Sequence, residues 1–318
     1  MRPTGKLHLG HLVGALENWV ALQGEYDNYH LIADYHALTT NLDSSGIEAS
    51  SIDMVMDWLA AGIDPAKSPV FRQSQIKQHT ELHLIFSMLI TAARLERNPA
   101  VKDQVRDLKI DNVSYGHLGY PVLQAADILL YKGELVPVGE DQVPHVEISR
   151  EIARRFNNQY GTVFPEPAPK LTRFPRLPGL DGPDRKMSKS AGNTILLSDP
   201  PEQILKKMKT AVTDPQKVRK NDPGRPEICL VYKYHEKFAP ATAAEIAAGC
   251  RSGALGCVEC KTRVAQTIAD HLAPFREKRA RYEARPADVL DILRDGEGRA
   301  RSRAEATMGE VRTAMKLG

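Results

Sequence analysis

Gly5-Lys6-Leu7-His8-Leu9-Gly10-His11 runs straight into Leu12, Ala15, Leu16 and Trp19, apolar positions at the i, i+3, i+4, i+7 spacing of an amphipathic helix. Two histidines therefore stand where a loop becomes a helix N-terminus, whose free N–H groups and positive dipole end favour phosphate. Their imidazoles add donors, and Gly10 lets a ligand approach the backbone closely. Taken alone, the stretch also fits a capped helix start with two surface histidines. In a doubly wound nucleotide-binding fold such a turn follows a buried strand of typically ~5 residues. Only Met1 and Arg2 precede Pro3, so the given start is expected to be internal, or the first strand to be lacking.

Downstream, 29–34 reads as a buried strand, 48–62 as a helix stopped by Gly62, and 69–71 as a second strand ending near Gln73 and Ser74. Helices over 82–94 and 120–131 follow, then a strand over 135–139 and a helix to about 156. This alternation predicts a parallel sheet with helical crossovers and binding groups at the carboxyl ends of strands, where His36 and Gln73 fall. Six prolines between 165 and 183 predict an extended linker. Beyond Thr194 helices are expected over 201–212, 241–250, 259–273 and 301–316. The expected architecture is α/β: a doubly wound, Rossmann-like domain over 1–190 and an α-helical domain over 191–318, the last helix packing back on the first domain.

Hydrophobic residues make up 42% and charged residues 26% of the 318, ordinary for a globular chain. No apolar run approaches the ~20 residues that span a bilayer, and no signal-type core follows Met1. A cytoplasmic enzyme without membrane contact is expected. The net charge of +3 permits a polyanionic partner without demanding one. Positive charge gathers from Lys206 to Lys220 and from Arg276 to Arg281.

Three further stretches carry chemistry. In Tyr120-Pro121-Val122-Leu123-Gln124-Ala125-Ala126-Asp127, Gln124 and Asp127 share a face of an apolar helix. A carboxylate there needs a donor, from a ligand or from the protein itself. Gly139-Glu140-Asp141-Gln142 ends a strand, where carboxylate and amide suit a ribose or an α-amino group. Lys186-Met187-Ser188-Lys189-Ser190 is a short, doubly cationic loop suited to a polyphosphate whose charge shifts during reaction; hinged on the proline-rich linker, it could close over substrate.

These motifs, in this order and covering nearly the whole chain from Pro3, resemble the class I aminoacyl-tRNA synthetases, and within them the bacterial tryptophanyl type. The resemblance implies two steps: tryptophan attacks the α-phosphate of ATP, and the adenylate then acylates tRNA(Trp). It implies that His8, His11, Lys186 and Lys189 act on the ATP phosphates with Mg²⁺, helped by Lys102. Gln104 stands where the family often has a second lysine. Gly10, Met187, Ser188, Ser190, Gly139 and Asp141 would line the ATP site. Asp127 would accept the indole N–H, with Gln124, Tyr120, His36 and Gln142 in the amino-acid pocket. Residues 191–318 would meet the anticodon, and a homodimer with no DNA partner is implied. Tyrosyl enzymes also place Gln and Asp three apart on this helix. A small-molecule nucleotidyltransferase and a non-catalytic RNA-binding paralogue stay open as alternatives.

Cys229, Cys250, Cys257 and Cys260 follow the pattern C-x20-C-x6-C-x2-C. Clustered thiols in a cytosolic chain favour metal over disulfide. Tetrathiolate zinc, a 4Fe–4S cluster and free thiols all fit. A subgroup of tryptophanyl enzymes carries such a cluster on a pattern sharing the last two intervals.

Overall fold

The computed structural model describes residues 1–171 and 177–318, and at Asp141 the backbone alone. β1 (His30–Ile32) and β2 (Val70–Arg72) pair in parallel, His30 opposite Val70 and Ile32 opposite Arg72. The Ile47–Ala61 helix connects them and ends at Gly62, whose φ of 114° is the left-handed conformation that glycine adopts without steric cost. β3 (Leu135–Val138) and β4 (Ala168–Leu171) form a second parallel pair, connected through the Val143–Tyr160 helix. Parallel strands joined by helices are the βαβ unit expected from the sequence. Alongside β1, the Met1 ammonium donates to Leu31 O at 2.7 Å and Met1 O accepts from the Ala33 N–H at 2.8 Å.

Several expectations need correction. Strand 29–34 is three residues long, and the presumed linker contains β4, with Pro169 opposite Val136. Proline lacks the N–H that a central strand would spend, and β4 pairs only with β3 among the described residues. Pro175 of that linker lies outside the described residues. The helix expected over 82–94 is two, Gln78–Ser87 and Ala92–Glu96, because Thr91 accepts from the Arg94 N–H and starts a new turn. A further helix, Pro99–Asp107 with Asn98 as its cap, was not foreseen. The helix expected over 301–316 is the second half of Pro286–Met315, and Leu230–Phe238 and Ala273–Ala284 were not foreseen.

Contacts divide the chain into two compact units. One comprises Met1–Gly5, Asn18–Arg173 and Arg285–Gly318; the other comprises Lys6–Glu17 and Phe174–Ala284. The Pro286–Met315 helix lies in the first of these units. There Ala300, Ala304, Met308 and Val311 enter a core with Phe71, Phe86, Leu129, Ile152 and Phe156. Arg72 Nε donates to Glu297 at 2.6 Å, and Arg312 forks onto Glu81 at 2.9 and 2.6 Å. In the other unit residues 7–9 lie against 195–197: Leu9 N–H donates to Ile195 O at 3.0 Å and Leu197 N–H to Leu7 O at 2.9 Å. The Cys257–His271 helix packs there against Pro201–Thr210 and Leu230–Phe238.

Gly296 is where the last helix meets β2; a Cβ there would stand 2.1 Å from Val70 O. In an open helical position alanine is favoured over glycine by about 1 kcal/mol. At 296 the sign reverses. Gly296→Ala should cost about 1–3 kcal/mol of stability, the usual range for overpacking. Gly298→Ala, with nothing within 4 Å of its Cβ, should raise it; chemical denaturation of both variants checks the contrast.

Candidate active site

The second unit brings the two signature stretches together. Gly10 N–H donates to Met187 Sδ at 3.3 Å, although the two residues are 177 apart in sequence. A Cβ on Gly10 would lie 3.0 Å from His8 Cε1 and Nδ1, so glycine lets the ring of His8 fold back over the helix start. The His8 and His11 rings lie against each other, tilted by 35° with centroids 3.8 Å apart. His8 N–H donates to His11 Nδ1 at 3.3 Å, which leaves the His11 ring proton on Nε2. His8 Nδ1 is buried with no partner among the described residues. Lys189 Nζ donates to Lys6 O at 3.0 Å.

The electrostatics follow from this packing. Burial, then Lys189 and Lys186, lowers His8 to about 4. Burial, then His8 and the same two lysines, lowers His11 to about 3. At neutral pH both imidazoles are uncharged donors, and the positive charge resides in the lysines. This combination can bind a polyanion through directed N–H groups while mobile ammonium groups supply charge. The helix itself is not the simple one expected: Leu9–His11 passes through a π turn at Leu12–Leu16 before Glu17–Leu22. Such bulges recur at functional sites.

The first unit holds a different cluster. Asp127 is nearly buried, with Oδ2 2.9 Å from His36 Nε2 and Oδ1 accepting from Gln73 Nε2 at 2.7 Å. His79 Nδ1 lies 2.8 Å from Oδ1, and its Nε2 is 2.9 Å from the Tyr131 hydroxyl. Burial opposes ionisation of Asp127, but the hydrogen bonds from His36 and His79 prevail and hold its carboxyl well below the usual range. Burial pushes Tyr131 far up, so its hydroxyl stays a donor to His79. Tyr120 Oη pairs with His145 Nε2 at 2.8 Å, and its ring stands edge-on to His36, centroids 6.3 Å apart. Burial raises Tyr120 to about 12. After β3, Gln142 N–H donates to Gly139 O at 3.0 Å and closes a short turn at the strand's carboxyl end, where open α/β sheets bind ligands.

The family model described as "tRNA synthetases class I (W and Y)" matches residues 1–273. The tryptophan–tRNA ligase of Thermotoga maritima is 49% identical over 322 residues, covering 100% of this chain and 98% of its own. That of Aquifex aeolicus is 43% identical over 390 residues, covering 100% and 98%. The chain belongs to the tryptophan–tRNA ligases of class I. Among solved structures, the tryptophanyl-tRNA synthetase of Campylobacter jejuni complexed with ADP and tryptophan superposes with a TM-score of 0.89 at 33% identity, over 100% of this chain and 98% of its own.

The sequence reading put His8, His11 and the 186–190 loop at one triphosphate and His36 and Asp127 in one amino-acid pocket; the structure sets Gly10 against Met187 and joins His36 to Asp127 by a hydrogen bond. Gln124 is half-buried on the same helix as Asp127. Lys102 is exposed on the Pro99–Asp107 helix, and the Asp141 side chain lies outside the described residues. Gln73 was legible only as a polar residue at a strand end. It is fully buried, and its Oε1 has no partner among the described residues. His79 and Tyr131 carried no sequence signal, because each resembles an ordinary helix residue until the fold sets it beside Asp127.

Among the described residues no three His, Cys, Asp or Glu side chains converge on one ion position. The thiols nevertheless feel one another. Cys260 is pushed up to about 12 by burial and then by Cys229, Cys250 and Cys257. A Cβ on Gly224 would stand 2.6 Å from Cys250 Sγ.

Unfolding returns His8 and His11 to their ordinary value of 6.5. Between that value and about 4 the unfolded chain therefore binds more protons, and stability falls as pH drops through this window. Chemical denaturation at pH 7.5 and pH 5 should show the loss, and His11→Gln should lose less. An equal loss in both proteins would contradict the assignment.

Proposed function

We propose that this chain joins L-tryptophan to tRNA(Trp) with ATP, through a tryptophanyl-adenylate. A tryptophan carboxylate oxygen bonds to the α-phosphorus, the bond to the β-phosphate bridge breaks, and pyrophosphate leaves. A ribose hydroxyl of the terminal tRNA nucleotide then attacks the acyl carbon, and AMP departs. The contact between Gly10 and Met187 is the observation that carries the first step, since it gathers His8, His11, Lys186 and Lys189 within one cluster. Nucleotidyl transfer asks mainly for positioning and charge neutralisation. In MgATP the neutral imidazoles would donate to phosphate oxygens and the two lysines would neutralise departing pyrophosphate. For Lys102 and Asp141 the support for a role at the nucleotide is the family likeness alone.

For the amino acid, Asp127 is the acceptor for the indole N–H, a donor-only group. A carboxylate offers about four lone-pair sites, and His36, Gln73 and His79 occupy only some of them. Gln73 Oε1, buried and unpartnered among the described residues, supplies a further acceptor. Gln124, Tyr120 and Gln142 are proposed around it, with residues 191–318 meeting the tRNA. Family likeness supports a cytoplasmic homodimer; among the described residues no helix is long and apolar enough to cross a membrane.

The support for a 4Fe–4S cluster is the cysteine spacing, whose last two intervals match those of a cluster-bearing subgroup of the family, with zinc as the alternative. Cys229, Cys250, Cys257 and Cys260 would hold a 4Fe–4S cluster, with Gly224 leaving room for the Cys250 sulfur. Such a cluster would bind segments together through covalent iron–sulfur bonds. Anaerobically purified protein should absorb in the visible; a colourless protein with stoichiometric zinc overturns this part.

Tryptophan-dependent exchange of pyrophosphate into ATP tests the main reading. Exchange should require tryptophan and fail with tyrosine, because a site built around a donor group strongly rejects analogues lacking it. Lys189→Ala should slow exchange roughly a hundredfold, as loss of one stabilising donor does. Undiminished exchange in that variant removes Lys189 from the chemistry.

A further inference from the structure

The lysines of the 186–190 loop are exposed, and what fixes their backbone is an asparagine three residues past the loop. Asn193 is 4% exposed. Its Oδ1 accepts from the Ser188 N–H at 2.7 Å, and its Nδ2 donates to Lys186 O at 3.0 Å and to Asp181 Oδ1 at 2.6 Å. One carboxamide thus grips the chain on both sides of Met187 and ties it to the segment before the loop. The fit leaves no slack. A Cβ at Gly179 would stand 2.2 Å from Asn193 Nδ2, while Gly179 N–H donates to Arg185 O at 2.8 Å and Leu180 N–H to Asn193 O at 3.0 Å. Gly192, at φ 67°, makes the turn that delivers Asn193.

We propose that Asn193, oriented by Asp181, is a positioning residue for adenylate formation. Its amide holds the Lys186–Ser188 backbone in the one shape that presents the Lys186 and Lys189 ammonium groups together. The proposal rests on assigning those lysines to the triphosphate. The carboxamide is the right group because the task needs two donors and an acceptor in one plane, which neither aspartate nor a hydroxyl residue supplies. The arrangement also explains why the loop can be short and polar yet defined: its rigidity comes from a buried neighbour.

Asn193→Asp keeps the shape but turns the two donors into an oxygen facing Asp181 and Lys186 O. Pyrophosphate exchange should fall about tenfold to a hundredfold, the scale of misplaced catalytic groups. Tryptophan affinity by equilibrium dialysis should stay unchanged, so the loss appears in kcat and in KM for ATP. Asn193→Asp combined with Asp181→Asn restores a donor–acceptor pair and should recover part of the rate; no recovery overturns the proposal. Because the amide acts through the lysines, Lys186→Ala should cost much less in the Asn193→Asp background than in the native one. Equal cost in both backgrounds overturns the clamp alone. Full exchange in Lys186→Ala with Asn193 intact overturns the lysine assignment first, and the clamp with it.

Discussion

Everything at the phosphate cluster depends on a short backbone pairing. Leu7 and Leu9 exchange hydrogen bonds with Ile195 and Leu197, and each such bond contributes only about 1 kcal/mol net. Its importance is geometric. It fixes the register between the start of the chain and the segment immediately after the lysine loop. With 7–9 locked to 195–197, Gly10 meets Met187 and the two imidazoles share a surface with the two ammonium groups. A slip of one residue would turn His8 to the opposite face, since neighbouring side chains in an extended segment alternate.

The two clusters use opposite electrostatic strategies. Around His8 and His11, burial and nearby lysines remove charge from the rings and leave it on flexible side chains. Around Asp127, histidine donors keep a buried carboxylate ionised. A phosphate ligand brings its own negative charge and needs donors that do not compete for protons. An indole brings only a weak donor and needs an acceptor whose charge is already stabilised before it arrives. Preorganisation of this kind is what sets a specific site apart from a merely polar one.

Much of this was legible in the sequence, and the limits have physical causes. The Gly62 stop and the parallel βαβ rhythm follow local rules, and the structure keeps them, whereas a π turn interrupts the helix read after His11. β4 was hidden because three prolines between 165 and 169 read as linker, whereas an edge position tolerates them. The last helix showed only its C-terminal half because Gly296 and Gly298 weaken the helical signal, yet Gly296 is there to let the helix approach Val70. His36 and Asp127 emerged from motif context. His79 and Tyr131 did not, since their partners lie 48 and 52 residues away in the chain; Asn193, with partners 5, 7 and 12 residues away, reads as a plain turn residue after Gly192.

The path of the chain through its two units carries a consequence for biosynthesis. A ribosome releases Phe71, Phe86 and Ile152 long before Ala300, Met308 and Val311, which complete the same apolar core. The intervening stretch, most of it belonging to the other unit, must emerge first. A nascent chain of this design holds a half-covered α/β core until the Pro286–Met315 helix has emerged, the interval in which exposed apolar surface invites chaperones or aggregation.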